Sequence, residues 1–166
     1  MRAHRPARRA LGASALTPAR MARAYRREAR GAARDLPWLL VLSDEQRLWF
    51  REHGRKLAAL LLAHLEASDV HEREDRLNDA AGDAAAYGRM ATDLGLSIGQ
   101  TVEGFLAFRR PFLHELGDVA QRRGFETEEA TGLLFAAEQA MDRLLVATLD
   151  ARGSMPRGRR REVGSG

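Results

Sequence analysis

Five histidines are the first candidates for chemistry in this chain of 166 residues, and their spacing decides how they could be used. His4 lies in an arginine-rich start and His71 at the beginning of a helical pattern, so neither has the surroundings of a ligand or a base. His53 and His64 share one apolar face but stand eleven residues apart. Along a helix that is about 16 Å, too far for both to bind one ion. His64, set among Leu60, Leu61 and Leu65, has two readings: an axial haem ligand, or a neutral, hydrogen-bonded histidine in or at the edge of a core, which is the commoner fate of such a residue. His114 falls opposite the apolar stripe of its helix and reads as exposed.

Arg109 is the less ordinary residue. Helical phase puts it near the centre of a stripe made by Ile98, Val102, Phe105, Phe112 and Leu116, and a guanidinium buried there needs an acceptor. The acceptor could be Glu74 or Glu138 of a neighbouring helix, an anionic ligand, or a partner subunit. Arg109 and His64 are therefore the candidate positions for a buried charge or a ligand site, and Arg110 is phased outward as a solvated charge. Glu72, Glu74, Asp75 and Asp79 read as a solvated helix face. Neither Glu-x-x-His nor His-Glu-x-x-His occurs, the Gly-x-Ser-x-Gly elbow is absent, and Gly99, Gly104 and Gly117 do not follow phosphate-loop order. The chain has no cysteine, which excludes disulfides and thiolate metal sites. No catalytic residue, metal site or cofactor is expected.

The elements that would carry these residues are all helical. Ser43 and Gln46 have capping-box spacing ahead of an apolar series, which predicts a helix over 44–67 with Trp49, Phe50, His53, Leu57, Leu60, Leu61 and His64 on one face. Asp69 opens a second helix to about residue 93, whose inward face of Leu77, Ala80, Ala81, Ala84, Gly88 and Ala91 is small enough for close helix approach. Gly95 ends it. Ser97 and Gln100 form another capping box for a helix to about Arg123, with Pro111 predicting a kink near Phe108. Gly124 closes that one, and Thr127 starts the last, striped by Leu133, Leu134, Ala137, Met141, Leu144, Leu145 and Thr148 to about Asp150. Upstream, Arg20 to Ala33 forms at most a short, weakly anchored helix whose large apolar groups are Met21 and Tyr25. Trp38 follows as the plug of an apolar connector. No period-two segment predicts a strand. The fold class is all-α: four principal helices plus a short N-terminal one.

Charge divides the chain into three parts. Residues 1–34 carry ten arginines against one glutamate, residues 35–151 carry a net charge of −9, and the tail from Arg152 is basic again, so the overall +4 hides an acidic folded part between two basic arms. The expected organisation is a basic arm over 1–34 (a weak helix or disordered), a helical domain over 35–151, and a disordered basic tail over 152–166. Charge on such arms governs solubility and nonspecific attraction, and the arginine-rich start also has the make-up of an organellar transit peptide. No apolar run reaches the ~18 residues of a membrane span, so a cytoplasmic, membrane-free protein is expected. Leu48 and Leu62 lie on the side of their helix away from Trp49, Leu57 and Leu60, while Phe135 is out of phase with Leu134 and Met141. These three are the expected dimer surface.

Tyr87-Gly88-Arg89, Leu94-Gly95-Leu96-Ser97, the run Phe105-Leu106-Ala107-Phe108-Arg109-Arg110-Pro111-Phe112-Leu113, and the closing Ala140-Met141-Asp142-Arg143-Leu144-Leu145 together resemble the N-terminal domain of the RsbR and RsbRD co-antagonist proteins. The resemblance spans about Ser43 to Asp150. It implies a globin-like, haem-free helical sensor domain, commonly dimeric, that is joined to an output module; nothing after Asp150 is long enough to be a STAS or DNA-binding module. The expected function is non-enzymatic: sensing or regulation through homodimerisation and contact with a protein partner, in a stress-response or transcriptional pathway. A nucleic-acid-associated regulator using the basic arm is the second reading, and a haem- or small-ligand-binding globin-like protein the third.

Overall fold

In the computed structural model of the protein, residues 18–153 are described; the disorder expected of residues 1–17 and 154–166 lies outside them. Among the described residues the fold is all-α: α1 (Pro18–Asp35), a 3₁₀ turn (Pro37–Val41), α2 (Asp44–Glu66), α3 (Val70–Asp93), α4 (Ile98–Arg122) and α5 (Thr127–Gly153). None of these helices is long and apolar enough to cross a membrane.

Local chemistry accounts for the helix ends. Ser43 and Gln46 form a reciprocal capping box at the start of α2, and Ser97 and Gln100 repeat it at α4. The Asp69 carboxylate accepts from the His71 and Glu72 amides at the start of α3, and the Glu129 side chain accepts from the Glu126 amide before α5. Each cap satisfies amides that the first helical turn cannot. Gly95 (φ +70°) and Gly124 (φ +65°) turn the chain out of α3 and α4 in the left-handed region open to glycine. The amides of Leu96 and Phe125 then return to the carbonyls of Ala91 and Ala120, closing Schellman motifs. α4 is one helix through Pro111.

α3 and α5 make the most intimate pair. Ala80, Ala84 and Gly88 face Ala137, Ala140, Met141, Leu144 and Thr148, all buried. The approach is so close that a Cβ on Gly88 would run into the Thr148 carbonyl. The Thr148 hydroxyl donates toward both Ala84 O (3.1 Å) and Leu144 O (2.9 Å), so the crossing is hydrogen-bonded as well as packed. A second, smaller cluster gathers Trp38, Leu36, Leu42, Ala91 and Leu96, which makes Trp38 the plug expected of it. Gly104 leaves the room that the Trp38 ring and the Tyr87 hydroxyl occupy.

Two expectations about the arms need correction. Residues 20–33 are not a weakly anchored helix: α1 runs from Pro18 to Asp35 and packs on α4 and α2, with Met21 only 2% exposed in the main core. Tyr25 stacks on Phe108 (centroids 5.6 Å apart) and donates to the Phe108 carbonyl at 3.1 Å. Amphipathic docking of one long methionine and one aromatic ring suffices to hold a helix otherwise rich in arginine. At the other end, Arg152 is no part of a tail. It lies within α5 and donates to Leu96 O (2.7 Å) and to the Thr101 hydroxyl, tying the end of α5 to the start of α4.

Candidate functional site

The charge that α4 buries is Glu115. Its side chain is 5% exposed and accepts from Arg20 Nε (3.2 Å) and Arg122 Nη2 (3.1 Å), with Arg27 Nη2 at 3.8 Å. Beside it Asp118 lies 3.9 Å from Arg122 Nη1 and 3.8 Å from His114 Nδ1. These carboxylates form the floor of a cleft of about 530 Å³ between α1 and α4, lined by Arg20, Arg23, Arg26, Arg27 and Arg122. Among the described residues no carboxylate lies within ion-pair reach of Arg23 or Arg26. Among the described residues five guanidinium groups face two carboxylates, and guanidinium stays charged in proteins, which is a surplus of three positive charges. The sequence held one usable signal for it. Glu115 shares a helix face with Phe112 and Val119, and a carboxylate in that phase requires cations from a neighbour.

Arg109 is placed differently from the expectation. Its side chain is 25% exposed and pairs with Glu138 (3.4 Å) and Asp142 (3.7 Å) on α5, themselves 50% and 69% exposed. The expected Glu138 partner is present, whereas Glu74 bonds Arg143 instead (2.7 Å). Arg109 is half-buried because the stripe is rotated from where Ile98 and Val102 put it: Ile98 is exposed, Val102 is intermediate, and the buried line runs through Thr101, Phe105, Phe112, Leu116 and Val119. The long arginine stem then carries its head to the edge of the α4–α5 contact.

His64 is buried, and its Nδ1 donates to the Arg73 carbonyl at 2.8 Å. It ties the end of α2 to α3. Arg73 in turn donates to Ala67 O (2.9 Å), so the turn between the helices is closed from both sides. His53 Nε2 donates to the Asp83 carbonyl (2.7 Å) while its ring stacks on Trp49; burial pushes its pKa below the ordinary histidine value. Burial raises the Tyr87 phenol above its usual range, and its hydroxyl donates to Thr101 O at 2.7 Å. Among the described residues no group of three His, Asp or Glu side chains is arranged to hold a metal ion.

The expected dimer surface divides. Leu62 is not exposed: it joins the main core, because α2 packs against α1, α3 and α5 and is covered on more than one side. Leu48 is exposed in the first turns of α2, and its chain neighbour Arg47 reaches back to the carbonyl of the exposed Leu40. Phe135 is 60% exposed and shares an outward face of α5 with Val146, which is 58% exposed and was not singled out from the sequence. Gln139 and Asp142 lie between them on that face. Comparison with family models, with curated proteins and with solved structures yields no match to this chain.

Proposed function

We propose that the chain is a non-enzymatic regulatory domain of the cytoplasm that works through protein contact as a homodimer, as the resemblance to the RsbRD-type sensor domains implies. The observation that carries the reading is the outward face of α5, where Phe135 and Val146 are both more than half exposed. They stand eleven residues apart, almost a whole number of turns. Antiparallel pairing of two copies of α5 about a two-fold axis level with Ala140 and Met141 would set Phe135 of one copy against Val146 of the other and Gln139 against Asp142. Such self-complementarity is what an isologous interface requires. The internal polar groups support binding over catalysis: His64, Tyr87 and Thr148 each donate to a backbone carbonyl of another helix. The same bond weighs against the haem reading, since His64 is occupied in bracing α2 on α3. A globin-like arrangement and a stress-response pathway belong to this proposal through the resemblance alone.

Sedimentation velocity of the full chain at micromolar concentration tests it. The expected result is a dimer that Phe135→Glu converts to a monomer of unchanged helicity. A monomeric wild type, or a dimer that survives Phe135→Glu and falls apart with Leu48→Glu instead, overturns the α5 interface.

A further inference from the structure

We propose that the cleft between α1 and α4 is a binding site for a compact phosphate chain carrying three or more negative charges, whether free or as the phosphate end of a nucleotide. Four features carry the proposal.

The first is charge. Arg20, Arg23, Arg26, Arg27 and Arg122 outnumber Glu115 and Asp118 by three, which matches a pyrophosphate or nucleoside diphosphate. The second is donor supply. Each guanidinium offers five N–H groups, and the floor carboxylates engage only some of those on Arg27 and Arg122. Arg23 and Arg26 have no carboxylate within reach among the described residues, so their forks are available to the bidentate geometry that arginine offers phosphate.

Shape is the third feature. The cleft, about 530 Å³, falls within the roughly 300–1,000 Å³ typical of small-molecule sites. Three of its cations, Arg20, Arg27 and Arg122, gather on Glu115. The fourth is rigidity: Glu115, itself buried, clamps guanidinium groups from both helices, and Met21 and Tyr25 hold α1 against the core. The floor of the cleft and the seating of α1 on α4 are thus organised before any ligand arrives, which lowers the ordering cost of binding. The two carboxylates do not defeat an anion here, because each lies within reach of a guanidinium and Glu115 sits beneath the arginine heads.

The site is independent of the α5 interface, so it can fail without affecting the homodimer proposal. Calorimetric titration of the full chain with pyrophosphate, ADP and inorganic phosphate tests it. Pyrophosphate and ADP should bind at least tenfold more tightly than inorganic phosphate, and the Arg23→Ala/Arg26→Ala double variant should lose at least tenfold in pyrophosphate affinity without a change in helicity. Arg8→Ala/Arg9→Ala, which removes the same charge from the N-terminal stretch, should leave the affinity unchanged. Tighter ADP than pyrophosphate identifies a nucleotide, and equal affinities identify the phosphate chain itself. Equal losses in the two double variants would mean nonspecific attraction to a basic chain, and no pyrophosphate binding alongside salt-dependent retention on DNA would mean a nucleic-acid surface. Either result overturns the proposal.

Discussion

Arg109 and Glu115 lie three residues to either side of Phe112 on α4, yet the carboxylate is 5% exposed and the guanidinium 25%. Neighbouring helices make the difference. α1 covers the flank of Glu115 with arginines, whereas Arg109 points along the α4–α5 edge to carboxylates that are themselves half-exposed or more. A short carboxylate cannot reach water as a long arginine can.

The two positions should therefore differ in stability. Arg109→Ala removes a solvent-screened pair and should cost about 1 kcal/mol or less, not the roughly 3 kcal/mol of a buried pair. Glu115→Ala removes the buried carboxylate that Arg20, Arg27 and Arg122 share; their partial exposure, and the Asp118 that Arg122 keeps, reduce the usual penalty to about 2 kcal/mol. Denaturant unfolding of both variants checks the order, which fails if Arg109→Ala proves the more costly.

The α3–α5 crossing predicts opposite effects for two glycines of one helix. A Cβ on Gly88 meets backbone of Thr148, which cannot yield as a side chain would, so Gly88→Ala should destabilise by about 3 kcal/mol. A Cβ on Gly82 meets nothing within 4 Å, and Gly82→Ala should stabilise by about 0.5–1 kcal/mol through helix propensity. Thermal midpoints moving in opposite directions are the expected result.

α1 belongs to the folded body. Met21 is 2% exposed in the main core, so Met21→Ala should cost about 3 kcal/mol from lost burial and the cavity left behind. A chain begun at Leu36 should melt at lower temperature than the full one. An unchanged midpoint would mean that α1 does not dock.

His53 confers a pH dependence whose sign follows from its burial. Its folded pKa is below the unfolded value of about 6.5, chiefly through desolvation, so the unfolded chain binds the proton more readily. Stability is complete above the unfolded pKa and is lost as pH falls from there toward the folded one. The thermal midpoint should drop between pH 7.5 and 5.5, and His53→Gln should flatten that slope. An identical slope in the variant would assign the effect to other groups.

What the sequence determined by itself is the set of helices and their ends. Ser43 with Gln46, Ser97 with Gln100, Asp69, Gly95 and Gly124 act within a single turn, through bonds between residues three to five apart, so their outcome is legible without a fold. The small face of α3 was legible for the same reason, because Ala80, Ala84 and Gly88 repeat at helical spacing and already specify a close neighbour. Only the tertiary structure decided which flank of each helix is covered. Periodicity gives the direction of a stripe to within a fraction of a turn, and that margin separates a buried Arg109 from an edge one. It also cannot show that Leu62 has a partner within the chain, while Phe135 and Val146 remain exposed. The arginine cleft required more still. Arg20 and Glu115 are remote in sequence and meet only because Met21 and Tyr25 dock α1 on α4, so a stretch that reads as a solvated basic arm becomes one wall of a site.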